Sequence, residues 1–217
     1  SHNNEVLDNT VNGKQLAYLE NKNNMVITGD LGQVILVSCV NITVKYLDIS
    51  NTNIGVELWE SNNVTIMNCS LTNNDYGAYV GLSYNVTITH NNATGNAQYS
   101  VYLYISHHNL VIHNNMTGSG NGLGMQHSDW NIIQHNYIAR SYYGIYLVYS
   151  DNNTFTTNNI ENSDGSAVYL WGSNGNIIFL NNILDPVMDY EANIFDNGTY
   201  GNYWGFGGVD TDHDWIM

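Results

Sequence analysis

The sequence has few cations and no long apolar run, and each shortage excludes a class of partner. Only four Lys and Arg oppose 19 Asp and Glu among 217 residues, which gives a formal net charge of −15. Binding to nucleic acid phosphates needs lysine and arginine, so no nucleic acid partner is expected. No apolar run reaches the roughly 18 residues that span a bilayer, so no membrane insertion is expected.

Proline and cysteine are also scarce. Proline occurs only at Pro186, and the two cysteines, Cys39 and Cys69, are too few for a disulfide framework. Because they fall in different columns of the repeat described below, we expect two small buried thiols. The 43% of hydrophobic residues is enough to fill a core and argues against disorder.

What the sequence does contain is a repeat of 22 or 23 residues. Three apolar columns keep this register: Ile27, Ile49, Leu71, Ala93, Met116, Ile138, Ile160 and Ile183; Val44, Ile66, Ile88, Val111, Ile133, Phe155 and Ile178; and Leu36, Leu58, Val80, Leu103, Met125, Leu147 and Leu170. Apolar and polar residues alternate within each repeat, as short strands with one buried face require.

Two polar columns repeat with the same register, namely Asn91, Asn114, Asn136, Asn158 and Asn181, and Ser61, Ser83, Ser106, Ser128, Ser150 and Ser173. If equivalent residues stack about 4.8 Å apart, each amide or hydroxyl can bond its copies above and below. A leucine-rich repeat shares the period but needs a leucine consensus and a helical segment. We therefore predict an all-β, single-stranded right-handed parallel β-helix of about eight coils.

Several segments resemble the NosD-like periplasmic copper-binding family of β-helix repeat proteins, and in particular its archaeal surface proteins. The likeness rests on residues 12–19, GDLGQVIL at 29–36, residues 41–51, the asparagine-rich coils, GNYW at 201–204 and DTDHD at 210–214. Trp215 stands where that family's closing motif has glycine. The resemblance implies the solenoid fold, with an N-terminal coil or cap at 1–26, coils at 27–185, and a C-terminal cap and acidic tail at 186–217.

Three sets of residues are candidate metal ligands. His90, His113 and His135 share one column in consecutive coils, where imidazoles suit copper or zinc. The alternative is an outward polar column, since Tyr46 and Asn68 occupy it in other coils. No cofactor is required by the fold, and copper, zinc or calcium are the ions considered.

Carboxylates supply the other two sets of candidate ligands. His107, Asp129 and Asp151 share a column and suit calcium or acid and base catalysis, although the column also holds Asn62. The tail residues Asp210, Asp212 and Asp214 alternate as calcium ligands do.

Two aromatic rows point outward on predicted strands, Tyr79, Tyr102, Tyr146 and Tyr169, and beside them Trp59, Tyr104 and Trp171. Such rows suit stacking on a sugar polymer or a protein, or they simply cover a sheet. Gly124 and Gln126 interrupt them, which predicts a notch there with His127 at its edge. Eight glycosylation sequons begin at Asn41, Asn63, Asn68, Asn85, Asn92, Asn115, Asn152 and Asn197.

The leading functional prediction is a non-catalytic, secreted, periplasmic or cell-surface module that binds a glycan or a protein, including a second copy of itself. A polysaccharide hydrolase or lyase and a metal carrier are the alternatives. An acidic-sugar lyase is disfavoured because the expected cluster of Arg and Lys is missing.

Overall fold

Short strands make up most of the chain, and the computed structural model describes them for residues 4 and 6–205. The strands are β1 (Thr10–Val11), β2 (Lys14–Glu20), β3 (Asn23–Ile27), β4 (Leu31–Val37), β5 (Val40–Lys45), β6 (Asp48–Ser50), β7 (Ile54–Trp59), β8 (Thr65–Met67), β9 (Ser70–Thr72), β10 (Tyr76–Gly81), β11 (Thr87–Thr89), β12 (Tyr99–Tyr104), β13 (Leu110–Ile112), β14 (Asn115–Thr117), β15 (Asn121–Gln126), β16 (Ile132–Gln134), β17 (Tyr137–Ala139), β18 (Tyr143–Val148), β19 (Thr154–Thr156), β20 (Asn159–Glu161), β21 (Ser166–Trp171), β22 (Ile177–Phe179), β23 (Asn182–Ile183), β24 (Val187–Asp189) and β25 (Tyr203–Trp204).

The strands form three faces of a solenoid. Sheet A has the order β1-β2-β4-β7-β10-β12-β15-β18-β21-β24, and sheet B has the order β22-β19-β16-β13-β11-β8-β5-β3. The third face consists of the pair β6-β9 and the sheet β14-β17-β20-β23-β25. Apart from the antiparallel pair β1 and β2, the paired strands are parallel, and the chain is the right-handed parallel β-helix of about eight coils that the repeat predicts.

The predicted apolar columns fill the core. Val44, Ile66 and Ile88 stack in register in sheet B, and Leu36, Leu58 and Val80 do so in sheet A. All are fully buried.

Ile27 is the exception, because it pairs with Val44 and belongs to sheet B. The first coil is shorter than the later ones, so the spacing of 22 residues placed Ile27 in the wrong column. The predicted boundaries at 27 and 186 do not interrupt sheet A, since β2 and β24 continue it on either side.

Each regular coil turns at four fixed positions where the backbone is left-handed. One coil has them at Glu60, Asn63, Asn68 and Asn73, with φ between 51° and 55°. Asparagine and glycine tolerate this conformation and fill many of these positions. Leu180 adopts it too, with φ of 55°, and a leucine side chain is strained there.

The buried asparagine column forms the predicted amide ladder. From Asn91 to Asn181, the side-chain Nδ2 of each residue donates to Oδ1 of the next, over distances of 2.9 to 3.1 Å. Asn181 continues the ladder to Asn202 at 3.0 Å, so a residue of the GNYW segment closes it. The ladder satisfies amides that are at least 97% buried, which removes the cost of placing them inside.

A second ladder runs through Asn131, Asn153, Asn176 and Asn193, again with Nδ2 to Oδ1 distances of 2.9 to 3.1 Å. The serine column differs from the prediction. Each hydroxyl accepts a hydrogen bond from the backbone N–H of the preceding serine, as Ser150 does from Ser128 at 3.1 Å. The hydroxyl then donates to the carbonyl two residues before it, so the hydroxyls do not bond one another.

The cysteines are free and buried, as predicted. Cys39 lies at the start of the serine column, where its N–H donates to Ser61, and Cys69 lies at the start of the asparagine column, where its N–H donates to Asn91. Within residues 4 and 6–205, no helix has the length and apolar character needed to traverse a bilayer.

Candidate functional site

Sheet A presents the predicted aromatic rows on its outer surface. Tyr79 pairs with Tyr102, and Tyr146 with Tyr169, while Gly124 lies between the two pairs. The four tyrosines are partly exposed, and Trp171 is 48% exposed. The rows therefore have the orientation that the alternation within each strand predicts.

A third aromatic row lies three residues earlier on the same strands. Tyr76, Tyr99 and Tyr143 occupy it, with Asn121 between Tyr99 and Tyr143. This row was not predicted from the sequence, because alternation places a residue three positions earlier on the opposite face of a strand. The polar residue Asn121 breaks its regularity.

The rows combine into two clusters, which we call the tyrosine face. The first cluster is Trp59, Tyr76, Tyr79, Tyr99 and Tyr102, with ring centroids of neighbours 4.7 to 6.4 Å apart. The second is Tyr142, Tyr143, Tyr146, Tyr169, Trp171 and Tyr190, with neighbours 4.7 to 6.0 Å apart. Centroid distances in this range are typical of favourable aromatic pairs.

Burial changes the acidity of the first cluster. Removal from water, followed by weaker effects of nearby groups, raises the pKa of Tyr79 and of Tyr99 to about 12. The same causes raise the pKa of Tyr102. These tyrosines are therefore protonated at neutral pH and can donate hydrogen bonds, but they cannot serve as bases.

A depression of about 460 Å³ separates the two clusters. From the first cluster Tyr99 lines it, and from the second cluster four of the six aromatic residues do. The lining residues are Ala97, Gln98, Tyr99, Gly120, Asn121, Tyr142, Tyr143, Tyr146 and Tyr169. The gap opens where Asn121 replaces a tyrosine of the third row.

The sequence predicted a notch at Gly124 and Gln126, whereas the depression lies near Asn121, at the other end of the same strand. A Cβ atom at Gly124 would overlap the rings of Tyr99 and Tyr102, so these rings cover the glycine. The hydroxyl of Tyr102 also reaches Oε1 of Gln126 at 2.7 Å. His127 follows Gln126 and does not line the depression, contrary to the prediction.

The three histidines of the predicted metal site form an exposed stack. Ring centroids are 4.9 Å apart between His90 and His113 and between His113 and His135, and the latter two rings are nearly parallel at 12°. Burial and the two neighbouring imidazoles lower the pKa of His113. All three residues occupy left-handed turn positions with φ of 53° to 56°.

His107, Asp129 and Asp151 form a ladder to the backbone. The N–H of Asp129 donates to Nδ1 of His107 at 3.0 Å, that of Asp151 donates to Asp129 at 2.7 Å, and that of Asn174 donates to Asp151 at 2.6 Å. Because Nδ1 of His107 accepts a hydrogen bond, it carries no proton. Its 3.7 Å approach to Oδ2 of Asp129 is therefore not an ion pair in this arrangement.

Asp210, Asp212 and Asp214 lie outside the described residues. All eight sequon asparagines are exposed. Glycosylation of these side chains stays a prediction.

The family of the chain follows from its sequence. Residues 19–208 match the family described as periplasmic copper-binding protein (NosD). The chain belongs to the NosD family. A comparison with curated protein sequences found no match.

Copper does not fit the described part of this NosD-family chain. The histidine rings pack against one another, with interplanar angles of 39° and 12°, whereas a copper ion needs ring nitrogens that converge on one point. No group of three His, Cys, Asp or Glu side chains among residues 4 and 6–205 is placed to hold a metal ion. The described residues therefore do not supply the site that the family's description implies.

Solved structures with the same fold accompany the family match. A double mutant of the periplasmic alginate epimerase AlgG has 14% identity and a TM-score of 0.65, with 88% of this chain and 51% of the epimerase covered. The Dettilon tailspike protein has 13% identity and a TM-score of 0.61, with 91% and 56% covered. A mutant of DFA-IIIase from Arthrobacter chlorophenolicus A6, in complex with DFA-III, has 12% identity and a TM-score of 0.51, with 79% and 58% covered. This NosD-family chain thus spans about half the length of these structures, which share its fold.

Proposed function

We propose that this protein is a non-catalytic glycan-binding module of the periplasm or the cell exterior, and that a glycan lies in the depression of the tyrosine face. The observation that carries the proposal is the depression itself, whose lining combines tyrosines of both clusters with the amides of Gln98 and Asn121. Its volume is within the range of roughly 300–1,000 Å³ common for small-molecule sites.

The lining suits a polyhydroxylated ligand. The C–H faces of a sugar ring pack on aromatic rings, and its hydroxyl groups bond amides and phenols. Aromatic packing of this kind contributes about 0.5–1.5 kcal/mol per ring beyond the area buried.

The lining also supports binding without catalysis. It contains no Asp, Glu, His, Lys, Arg or Cys, and these are the usual general acids, bases and nucleophiles. Burial raises the pKa of Tyr99 to about 12, so this phenol is not a base at neutral pH. Asp129 and Asp151, the candidate ligands that would also suit acid and base catalysis, lie in the turn beyond the opposite end of the strands and hold backbone N–H groups.

Binding is tested by affinity electrophoresis and calorimetry on a panel of polysaccharides, comparing the unmodified protein with Tyr146→Ala. We expect Tyr146→Ala to weaken binding by about 3- to 10-fold, since one stacking ring is lost. Tyr84→Ala is the matched control, because Tyr84 is also accessible to solvent but lies in the turn column of His107, outside the lining of the depression. Equal effects of the two substitutions would remove the site from the tyrosine face.

Catalysis and self-association are separated from binding in the same samples. No reducing ends or unsaturated sugars should form when a bound polysaccharide is incubated with the protein. Static light scattering at rising protein concentration detects self-association. If Tyr146→Ala abolished glycan binding only under conditions where it also abolished oligomers, the tyrosine face would be assigned to protein contacts instead.

A further inference from the structure

The depression on the tyrosine face has no charged side chain in its lining. We infer that the ligand of this face is a neutral glycan rather than a uronate or another acidic polysaccharide. The inference rests on the proposed glycan-binding function and narrows it to one chemical class.

All four cations of the chain lie elsewhere. Lys14 forms an ion pair with Asp30 at 2.8 Å, and Nζ of Lys45 is 5.3 Å from the ring centroid of Tyr46 on sheet B. Lys22 lies between β2 and β3 in the first coil. Arg140 lies near Tyr137 on the third face, where the hydrogen bond to Glu161 raises the pKa of that phenol and the charge of Arg140 weakly opposes the rise. None of the four lines the depression.

The charged side chains that affect the pKa of Tyr76 and Tyr79 in the first cluster are carboxylates. Burial is the largest cause of the raised pKa values of Tyr76 and Tyr79. The carboxylate of Asp75 adds to the rise at Tyr76, and that of Glu57 adds to the rise at Tyr79. The chain as a whole carries a formal charge of −15. A polyanion that approached the tyrosine face would therefore meet negative potential and no counter-charge.

The geometry suits a neutral chain that runs along the solenoid axis. Tyr99 and Tyr143 flank Asn121 in adjacent strands, so their backbones are two strand spacings apart, about 10 Å. This is close to the length of a disaccharide unit. Rings at both ends would stack on alternate sugars. The oxygen of Gln98 already accepts from the hydroxyl of Tyr76, and that of Asn121 from the N–H of Tyr143, so the two amides would bond the sugar hydroxyls mainly through their NH₂ groups.

The test uses matched pairs of polysaccharides that differ only in charge. Alginate and polygalacturonate are each compared with their carboxyl-reduced forms, and hydroxyethyl cellulose with carboxymethyl cellulose, together with a wider set of neutral and acidic glycans. Affinities are measured by calorimetry at low salt. For each backbone that binds, we expect the acidic member to bind about tenfold or more weakly, which corresponds to about 1.4 kcal/mol.

A designed charge gives an independent reading. Ala97 is exposed and lines the depression, so Ala97→Arg should strengthen binding of acidic members while leaving neutral members nearly unchanged. Ala192→Arg makes the same change of net charge at an exposed position outside the lining. An equal gain with both variants would show that net charge, and not the depression, sets the preference.

The outcomes separate this inference from the proposed function. If acidic glycans bound as tightly as neutral ones and both lost affinity in Tyr146→Ala, the preference for a neutral ligand would be wrong. Glycan binding by the tyrosine face would still stand. Absence of binding to every neutral and acidic glycan would overturn both.

Discussion

Replacing Asn136 by alanine should be far more damaging than its small loss of volume suggests. Its Oδ1 accepts hydrogen bonds from the backbone N–H of Asn114 at 2.9 Å and from Nδ2 of Asn114 at 3.1 Å. Its Nδ2 donates to the carbonyl of Val111 at 2.9 Å and to Oδ1 of Asn158 at 3.1 Å. The side chain is 2% exposed, so water does not replace these partners.

In Asn136→Ala the buried N–H of Asn114 is left without its side-chain partner, and the carbonyls of Val111 and Gln134 each lose a hydrogen bond from Nδ2. An orphaned buried group costs about 1–3 kcal/mol. Oδ1 of Asn158 keeps the backbone N–H of residue 136, at 3.0 Å, and adds little. The free energy of unfolding should fall by about 2–5 kcal/mol, which lowers the melting temperature by roughly 5–15 °C for a chain of this size.

The measurement is urea denaturation followed by circular dichroism, together with hydrogen exchange because a solenoid can open coil by coil. Asn115→Ala is the matched control, since Asn115 follows Asn114 but is exposed and bonds only Asn92 at the surface. It should cost no more than about 0.5 kcal/mol. If both variants were equally stable, the amide ladder would not be what holds successive coils together.

Three further predictions concern single positions. Leu180→Asn should raise the unfolding free energy by about 1 kcal/mol, measured by the same denaturation, because Leu180 is 45% exposed at a left-handed φ that asparagine tolerates better. Because burial raises the pKa of Tyr79 and Tyr99 from 10.0 to about 12, the unfolded chain loses these protons first. The contribution of these two tyrosines to stability should therefore be constant below pH 10 and be lost between pH 10 and 12; ultraviolet titration of tyrosinate together with alkaline denaturation checks this. In an NMR titration, the pKa of His113 should lie below its ordinary 6.5 and should rise when both neighbouring histidines are replaced by asparagine. Because the unfolded chain binds this proton more readily, stability should fall as the pH drops below 6.5.

The interior of the solenoid could be predicted from the sequence because burial restricts each inward position to one kind of residue. Ile138 and Ile160 must be apolar, and Asn136 and Asn158 must satisfy one another, so both columns persist from coil to coil. The second ladder was not predicted because its column is not asparagine throughout. Val86 occupies the column in an earlier coil, where only its backbone N–H takes part, donating to Asn109. A column that changes character part-way does not register as a repeat.

The outer surface was less predictable because the orientation of its side chains depends on how they pack against one another. Alternation places Tyr102 outside, but it predicts the opposite face for Tyr99, three residues earlier. It also does not predict the tilt that brings both rings over Gly124, while the depression lies near Asn121. The carboxylates of Asp129 and Asp151 suggested chemistry because sequence alone does not show their hydrogen bonds to the N–H groups of the next coil.

This division explains why a family match and a shared fold say so little about the ligand. The inward columns carry the coil repeat and its ladders, and these are what a structure with 14% identity and a TM-score of 0.65 can have in common with this chain. The outward columns are free of that constraint, since changing Asn121 or Tyr143 alters the surface without breaking a ladder. A likeness to an alginate epimerase therefore need not extend to acidic glycans. The tyrosine face, with aromatic walls and no cation in the lining, favours a neutral one.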